Sequence, residues 1–164
     1  MVSADEYATK LESVRMAARH AGRDPASITP ALHRFVVVGR SEPEVRAMLD
    51  TKVIRSFGLM APAELWRQAG VTHPFGEQFN PLVDFVPDCY GRQTINDAID
   101  AVPHEVMTEG PLLWGTPEQV VAQLRRFHTA GLRHVVLAPI SGLVSKRAAL
   151  YSLRAIGKIA HALN

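Results

Sequence analysis

Residues 112–139 read LLWGTPEQVVAQLRRFHTAGLRHVVLAP, and this stretch decides how the chain is built. An apolar run, Leu112 to Trp114, meets Gly115. Thr116 then offers a helix N-cap, Pro117 takes the first helical position, and Gln119 stands three residues after the cap, which together make a capping box. Val120, Leu124 and Phe127, with Val121 beside them, recur at the helical period, and Gly131 marks the stop before His134–Pro139 runs apolar and β-branched. The unit is strand, helix, strand. Short turns on both sides of the helix place its two strands parallel in one sheet, with a right-handed crossover.

Working upstream, Ser3 and Glu6 form another capping box, and Tyr7, Leu11, Val14, Ala18 and Ala21 share one face of a helix expected over residues 4–21. After the polar turn at 22–30, residues 31–39 (ALHRFVVVG) suit a strand. Phe35 to Val38 are continuously apolar, so both faces of that strand should be covered. Ser41, Pro43 and Glu44 start a helix at once, through Val45, Met48 and Leu49. Residues 51–92 then break the rhythm. A short helix fits 61–70, but VTHPFGEQFNPLVDFVPDCYG (71–91) holds three prolines and two glycines, which leaves two readings: a lid or binding loop, or a structural insertion packed outside the core. Residues 94–102 suggest a short helix. Downstream of Pro139, Ala149, Leu153, Ile156, Ala160 and Leu163 line one face of a final helix.

The composition excludes several function classes. With 18 Lys and Arg against 16 Asp and Glu, the formal charge is +2, and the basic residues are scattered, so phosphate neutralisation on nucleic acid has no concentrated patch to work from. The 47% hydrophobic content is ordinary for a globular chain, and no run approaches a membrane span. Cys89 stands alone without a CxxC partner, and residues 1–14 lack the apolar core of a signal peptide, which points to the cytoplasm. Seven histidines include no HExxH and no pair at i, i+4, so no metal site is expected. GxSxG, Walker and GxGxxG motifs are absent as well.

Two phrases together resemble a known family. The strand ending in Gly-Thr-Pro-Glu (115–118), the helix ending in Ala-Gly (130–131) and the strand HVVLAP (134–139) are similar to the C-terminal end of the luciferase-like flavin- or coenzyme F420-dependent oxidoreductases. The phrase AARHAGRDPASITPALHRFVVVGRSEPEVRAML (17–49) is similar to that family's fifth helix, sixth strand and sixth helix. Within the family, the abundance of Ala, Arg, Val and Gly resembles actinobacterial F420-dependent members, the phthiodiolone ketoreductase type among them.

The resemblance implies an α/β fold: part of a TIM (β/α)8 barrel, C-terminal strands and helices only, as a single domain 1–164 with an irregular insertion at 51–92. It implies hydride transfer between F420 or FMN and a small organic substrate, weak or inactive in this chain alone; the alternative is a non-catalytic oligomeric remnant or small-ligand-binding module. A full barrel takes about 250 residues, and the family's residues from its first five strands have no counterpart here. Three staves alone would leave two open edges and a bare apolar face. Three remedies are open: a second copy, a chain carrying the missing N-terminal half, or a rearranged sheet; a homo-oligomer is expected.

The reactive face of such a barrel lies at the strands' C-terminal ends. On this reading Trp114, Gly115 and Thr116 are the cofactor-binding residues, with Trp114 stacking on a planar ring and Thr116 opening an anion-binding helix start. Arg40 would hold a substrate anion. His73, with Asp84, Asp88, Cys89 and Tyr90 in the long segment, is the substrate-side group best placed for acid–base work; the plainer reading is a solvated loop histidine.

Overall fold

The computed structural model describes residues 3–110 and 112–163. Helix α1 (Ala4–His20) is opened by the reciprocal Ser3/Glu6 bonds expected of a capping box. Strand β1 (Ala31–Val38) follows, then α2 (Glu42–Leu49), α3 (Lys52–Arg55), α4 (Ala63–Gln68), α5 (Pro81–Asp84), α6 (Arg92–Asp100) and α7 (His104–Glu109). The last part is β2 (Leu112–Gly115), α8 (Pro117–Thr129), β3 (His134–Pro139) and α9 (Lys146–Leu163). The fold is mixed α/β with three parallel strands, as the resemblance implies.

The sheet runs β2-β1-β3. The unit at 112–139 does deliver two parallel strands to one sheet, yet β1 lies between them, paired to β2 from Phe35 to Val38 and to β3 from Ala31 to Val36. A simple slice of a barrel would keep its strands in chain order. Here the chain leaves β1 in one direction, returns over it through α8, and so covers both faces, the arrangement of a doubly wound sheet.

Alternation along β1 assigns the two layers. Val37, with Phe35, Leu112 and Trp114, faces a cluster built from α2, α3, α4, α6, α7 and the 3-10 turn Ser56–Met60: Val45, Met48, Ile54, Leu59, Trp66, Ile99, Val106 and Met107. Val36 and Val38, with Leu113, face Tyr7 and Leu11 of α1, Val120, Val121, Leu124 and Phe127 of α8, and Ala155 and Ile159 of α9. Val36, Val37 and Val38 are wholly shielded, at 0% exposure. The uninterrupted apolar run thus marks a strand covered on both sides. Of the three remedies for a bare face, the structure shows the rearranged sheet.

The segment 51–92 contributes to the core on the Val37 side of the sheet. Ile54, Leu59, Ala61, Trp66 and Phe79 are buried within it, and the Trp66 indole N–H donates to the Gly58 carbonyl at 3.3 Å. It packs on the sheet layer, not outside it.

Two details go beyond the sequence reading. Residues 104–109, to which the sequence reading gave no element, are helical, and α9 is turned by about one residue from the expected face: it buries Ala148, Ser152, Ala155 and Ile159, leaving Leu150 and Leu153 64% and 65% exposed. Small residues let a helix approach a sheet closely, so α9 lays its Ala and Ser strip inward and its Leu strip outward.

Candidate functional site

At the C-terminal ends of β1 and β2 the chain enters α2 and α8, and the expected site residues Arg40, Trp114, Gly115 and Thr116 do gather there. The Gly39 N–H donates to the Gly115 carbonyl at 3.2 Å, tying the two loops together. Gly115 has φ +136°, and a Cβ there would lie 2.6 Å from Gln119 Oε1, so only glycine fits. Thr116 caps α8: its hydroxyl accepts from the Gln119 N–H at 3.4 Å, while Gln119 Oε1 accepts from the Thr116 N–H at 2.8 Å.

Arg40 is held by its own neighbour. Its guanidinium donates to Glu44 at 2.8 Å, its backbone N–H donates to the same carboxylate at 2.7 Å, and the cation sits 4.5 Å above the Tyr151 ring. Burial, and then the Glu118 carboxylate, push the Tyr151 hydroxyl above its usual range. Arg46 donates to Glu42 at 2.7 Å, and hydrogen bonding by Arg46 lowers the Glu42 carboxyl below the usual carboxylate range. Gln119 reaches Glu42 at 3.4 Å. The Trp114 ring is fixed by its N–H to the Thr108 carbonyl at 2.9 Å and carries Arg46 at 5.4 Å from its centroid. The sequence reading had Glu44 and Gln119 only as helix-start residues and missed Glu42, Arg46 and Tyr151. The i, i+4 spacing of Arg40 with Glu44 and of Glu42 with Arg46 was the available signal.

The patch is self-satisfied. Both helix starts spend donors on their own caps, and both arginines have internal carboxylates, so an incoming phosphate would meet acidic side chains beside each helix. The cavities do not favour a planar ring here either. A cavity of about 660 Å³ opens at the other end of β2, lined by Arg34, Thr108, Gly110, Leu112, Gln123 and Phe127. Beside α2, Glu44, Met48, Val144 and Ala148 line a recess of about 240 Å³.

His73 lies elsewhere, 2% exposed in an aromatic cluster. Its ring stacks on Phe79 at 4.4 Å and meets Trp66 at 4.7 Å, and Nδ1 accepts from the Phe75 N–H at 3.2 Å. Tyr90 joins the cluster through Phe75 at 4.3 Å, Asp84 is occupied by the Asn80 N–H at 2.7 Å, and Cys89 is exposed. The structure does not bring His73 to Arg40 or Thr116. Burial lowers the His73 imidazole below its ordinary value, so the fold holds it neutral. Because protonation is harder in the folded state, the contribution of His73 to stability is complete above the unfolded value, near 6.5, and is lost as the pH falls below that and through the depressed folded value. We expect thermal melts to show a falling midpoint below that pH in the wild-type chain and a shallower fall in His73→Phe. Equal slopes would assign the pH dependence to other groups.

With this geometry in hand, comparison with known proteins places the chain. The luciferase-like monooxygenase family model matches residues 1–134. The chain belongs to that family. It is similar to the phthiodiolone/phenolphthiodiolone dimycocerosates ketoreductase of Mycobacterium bovis (strain BCG / Pasteur 1173P2), with 39% identity over 137 residues, 84% of this chain and 36% of that protein. The same-named protein of Mycobacterium sp. (strain JLS) is 36% identical over 159 residues, 96% of this chain and 41% of its own. The chain therefore spans little more than a third of the length of these relatives.

Among solved structures, the coenzyme F420-dependent tetrahydromethanopterin reductase from Methanopyrus kandleri superposes with a TM-score of 0.56 at 20% identity, covering 84% of this chain and 37% of that one. An F420-dependent secondary alcohol dehydrogenase in complex with an F420-acetone adduct gives 0.53 at 15% identity, covering 84% and 35%. Riboflavin lyase with modified FMN and riboflavin gives 0.53 at 18%, covering 99% and 37%. At these identities the fold is what is shared. This luciferase-like chain corresponds to part of a TIM-barrel protein.

Proposed function

We propose that this chain is the C-terminal portion of a luciferase-like oxidoreductase whose reaction moves hydride between F420 or FMN and a small organic substrate such as a ketone, and that alone it is weak or inactive. The observation that carries this is the match of residues 1–134 to the family, combined with coverage of only 36% of the ketoreductase relative. F420 and FMN both occur with the structural neighbours, which supports a deazaflavin or flavin cofactor for the reaction. Such a cofactor carries the hydride, while protein groups bind and orient the two reactants.

The residues present do not fit that group in this fold. The helix starts at Ser41 and Thr116 are self-capped, a cavity of about 660 Å³ opens at the opposite end of β2, and Val37's face of the sheet is filled by the chain's own side chains. No step is assigned to Arg40, Trp114, Gly115 or Thr116 through the cofactor. The same covered sheet favours a second reading, a non-catalytic oligomeric module. No helix among the described residues is long and apolar enough to cross a membrane, and the unpaired, exposed Cys89 suits the cytoplasm.

Titrating the pure chain with reduced F420 and with FMN is expected to give no saturable spectral change and no turnover with a ketone. Turnover by the chain alone would overturn the silence proposed. Adding a separately produced N-terminal portion of the M. bovis relative separates the two readings: cofactor oxidation on mixing supports the oxidoreductase part, and unchanged silence supports the module.

A further inference from the structure

The buried imidazole of His73 takes no part in the strand-end site, and its hydrogen bonds point to a conformational role. We propose that His73 is a proton-operated latch: with Nδ1 bare it holds residues 74–90 on the core, and a proton at Nδ1 releases that segment while the sheet stays folded. This stands on the packing around His73 alone and does not depend on the cofactor reading.

The bonds fix the tautomer. The Phe75 backbone N–H lies 3.2 Å from Nδ1, and a peptide N–H only donates, so Nδ1 is an acceptor and carries no proton. The single ring proton is then on Nε2, which faces the Leu59 carbonyl at 3.4 Å. The neutral ring in this tautomer satisfies both nitrogens. A second proton would set Nδ1–H against the Phe75 N–H, donor against donor, at a residue only 2% exposed. The rings of Phe79, stacked at 4.4 Å, and of Trp66, at 4.7 Å, offer a cation some attraction, but a ring face does not replace an acceptor oxygen.

The charged groups on the surrounding elements are engaged elsewhere. Arg55, beside the Ser56–Met60 turn that carries Leu59, donates to the Asp100 and Val102 carbonyls. On α4, Glu64 and Arg67 pair with each other in solvent. Within the segment, Glu77, Asp88 and Cys89 are exposed, Asp84 accepts from the Asn80 N–H, and the Tyr90 ring lies against Phe75 and Phe85. Burial therefore lowers the proton affinity of the imidazole, and the Leu59 bond opposes this only in part. Since the closed form binds the proton more weakly than the released one, release grows as the pH falls below about 6.5, the ordinary histidine value.

The chain is built to part at this residue. Ahead of His73, Ile54, Leu59 and Trp66 belong to the layer on the Val37 side of the sheet. Beyond it, Phe75, Phe85 and Tyr90 stack on one another, and Leu82, Val83 and Val86 are half exposed or more. The ties of 74–90 to the core centre on the His73 ring and on Phe79, which stacks on that ring and whose carbonyl accepts from the Ala63 N–H at 3.3 Å. Gly70 and Gly76, with φ of +78° and +126°, bracket the latch. A segment held by so few buried contacts opens at lower cost than the domain as a whole.

The test uses the full chain. Long-range proton–nitrogen correlation spectra near neutral pH are expected to show His73 protonated at Nε2 and bare at Nδ1. Hydrogen exchange read by mass spectrometry, corrected for the intrinsic effect of pH, should show peptides from 74–90 losing protection about tenfold or more between about pH 7.5 and about pH 5, while peptides from 31–38 keep theirs. His73→Asn keeps an oxygen near the Nδ1 position and takes up no proton, so protection of 74–90 should then stay constant over that range. The wild-type readings decide the matter even if His73→Asn fails to fold. A proton on Nδ1 at neutral pH, protection in 74–90 that ignores pH, loss of protection in 31–38 alongside it, or a pH response that persists in His73→Asn would overturn the proposal.

Discussion

Val37→Asp is expected to abolish cooperative folding. Val37 is the middle residue of three that are completely shielded on the central strand, and its side chain points into the layer holding Val45, Ile54, Trp66 and Val106. An aspartate there either ionises without a partner or takes up a proton, and both routes cost several kcal/mol. Small domains have only about 5–15 kcal/mol of stability in total. Circular dichroism with thermal scanning checks it: the variant should lack the wild-type transition. A bare barrel-interior face would give a different result, because a carboxylate on an open face stays hydrated and the transition would survive with a modest shift. Val136→Asp, on the same side of the sheet but half exposed, is the internal control and should fold.

Trp66→Ala is expected to lower stability by about 3–5 kcal/mol. The indole is 0% exposed, its N–H bonds to the Gly58 carbonyl, and its ring meets His73, so truncation removes a large buried surface and leaves Gly58 without its donor. Chemical denaturation should show a lower midpoint with the slope nearly unchanged. A mobile lid belongs to the low-stability end of a protein. If residues 51–92 were one, the midpoint would hardly move.

Much of the local structure was legible from the residues. The capping boxes at Ser3 and Thr116 start helices where expected, and Val120, Val121, Leu124 and Phe127 are all buried on α8. Phe35 to Val38 announced a doubly covered strand, and three of these four are wholly buried. The order β2-β1-β3 was not legible, since periodicity tells which face of a strand is covered and not which strand stands beside it. The α9 error has a similar origin. The strips 149/153/156/160 and 148/152/155/159 differ by a single residue, and the more hydrophobic one is not the one that faces the sheet.

The candidate site was half legible. Position in the chain was enough to gather Arg40, Trp114, Gly115 and Thr116 at the strand ends. The Thr116–Gln119 capping box and the i, i+4 spacing of Arg40 with Glu44 were visible in the sequence, but Arg46 over the Trp114 ring depends on side-chain directions set by tertiary packing. His73 looked solvated because a histidine in a long irregular loop ordinarily is. Its burial comes from Trp66, Phe75 and Phe79, which close around it only once the segment folds onto the sheet.

The placement of β1 at the centre is the claim on which the covered sheet and the silent strand ends both rest. Inter-strand nuclear Overhauser effects between backbone amide and α protons, on isotopically labelled chain, test it most directly. Contacts should join β1 to both neighbours, linking Arg34 and Phe35 with Leu137 and Ala138, and Val36 and Val37 with Leu113 and Trp114. Contacts joining β2 directly to β3, with none between β1 and β3, would contradict it.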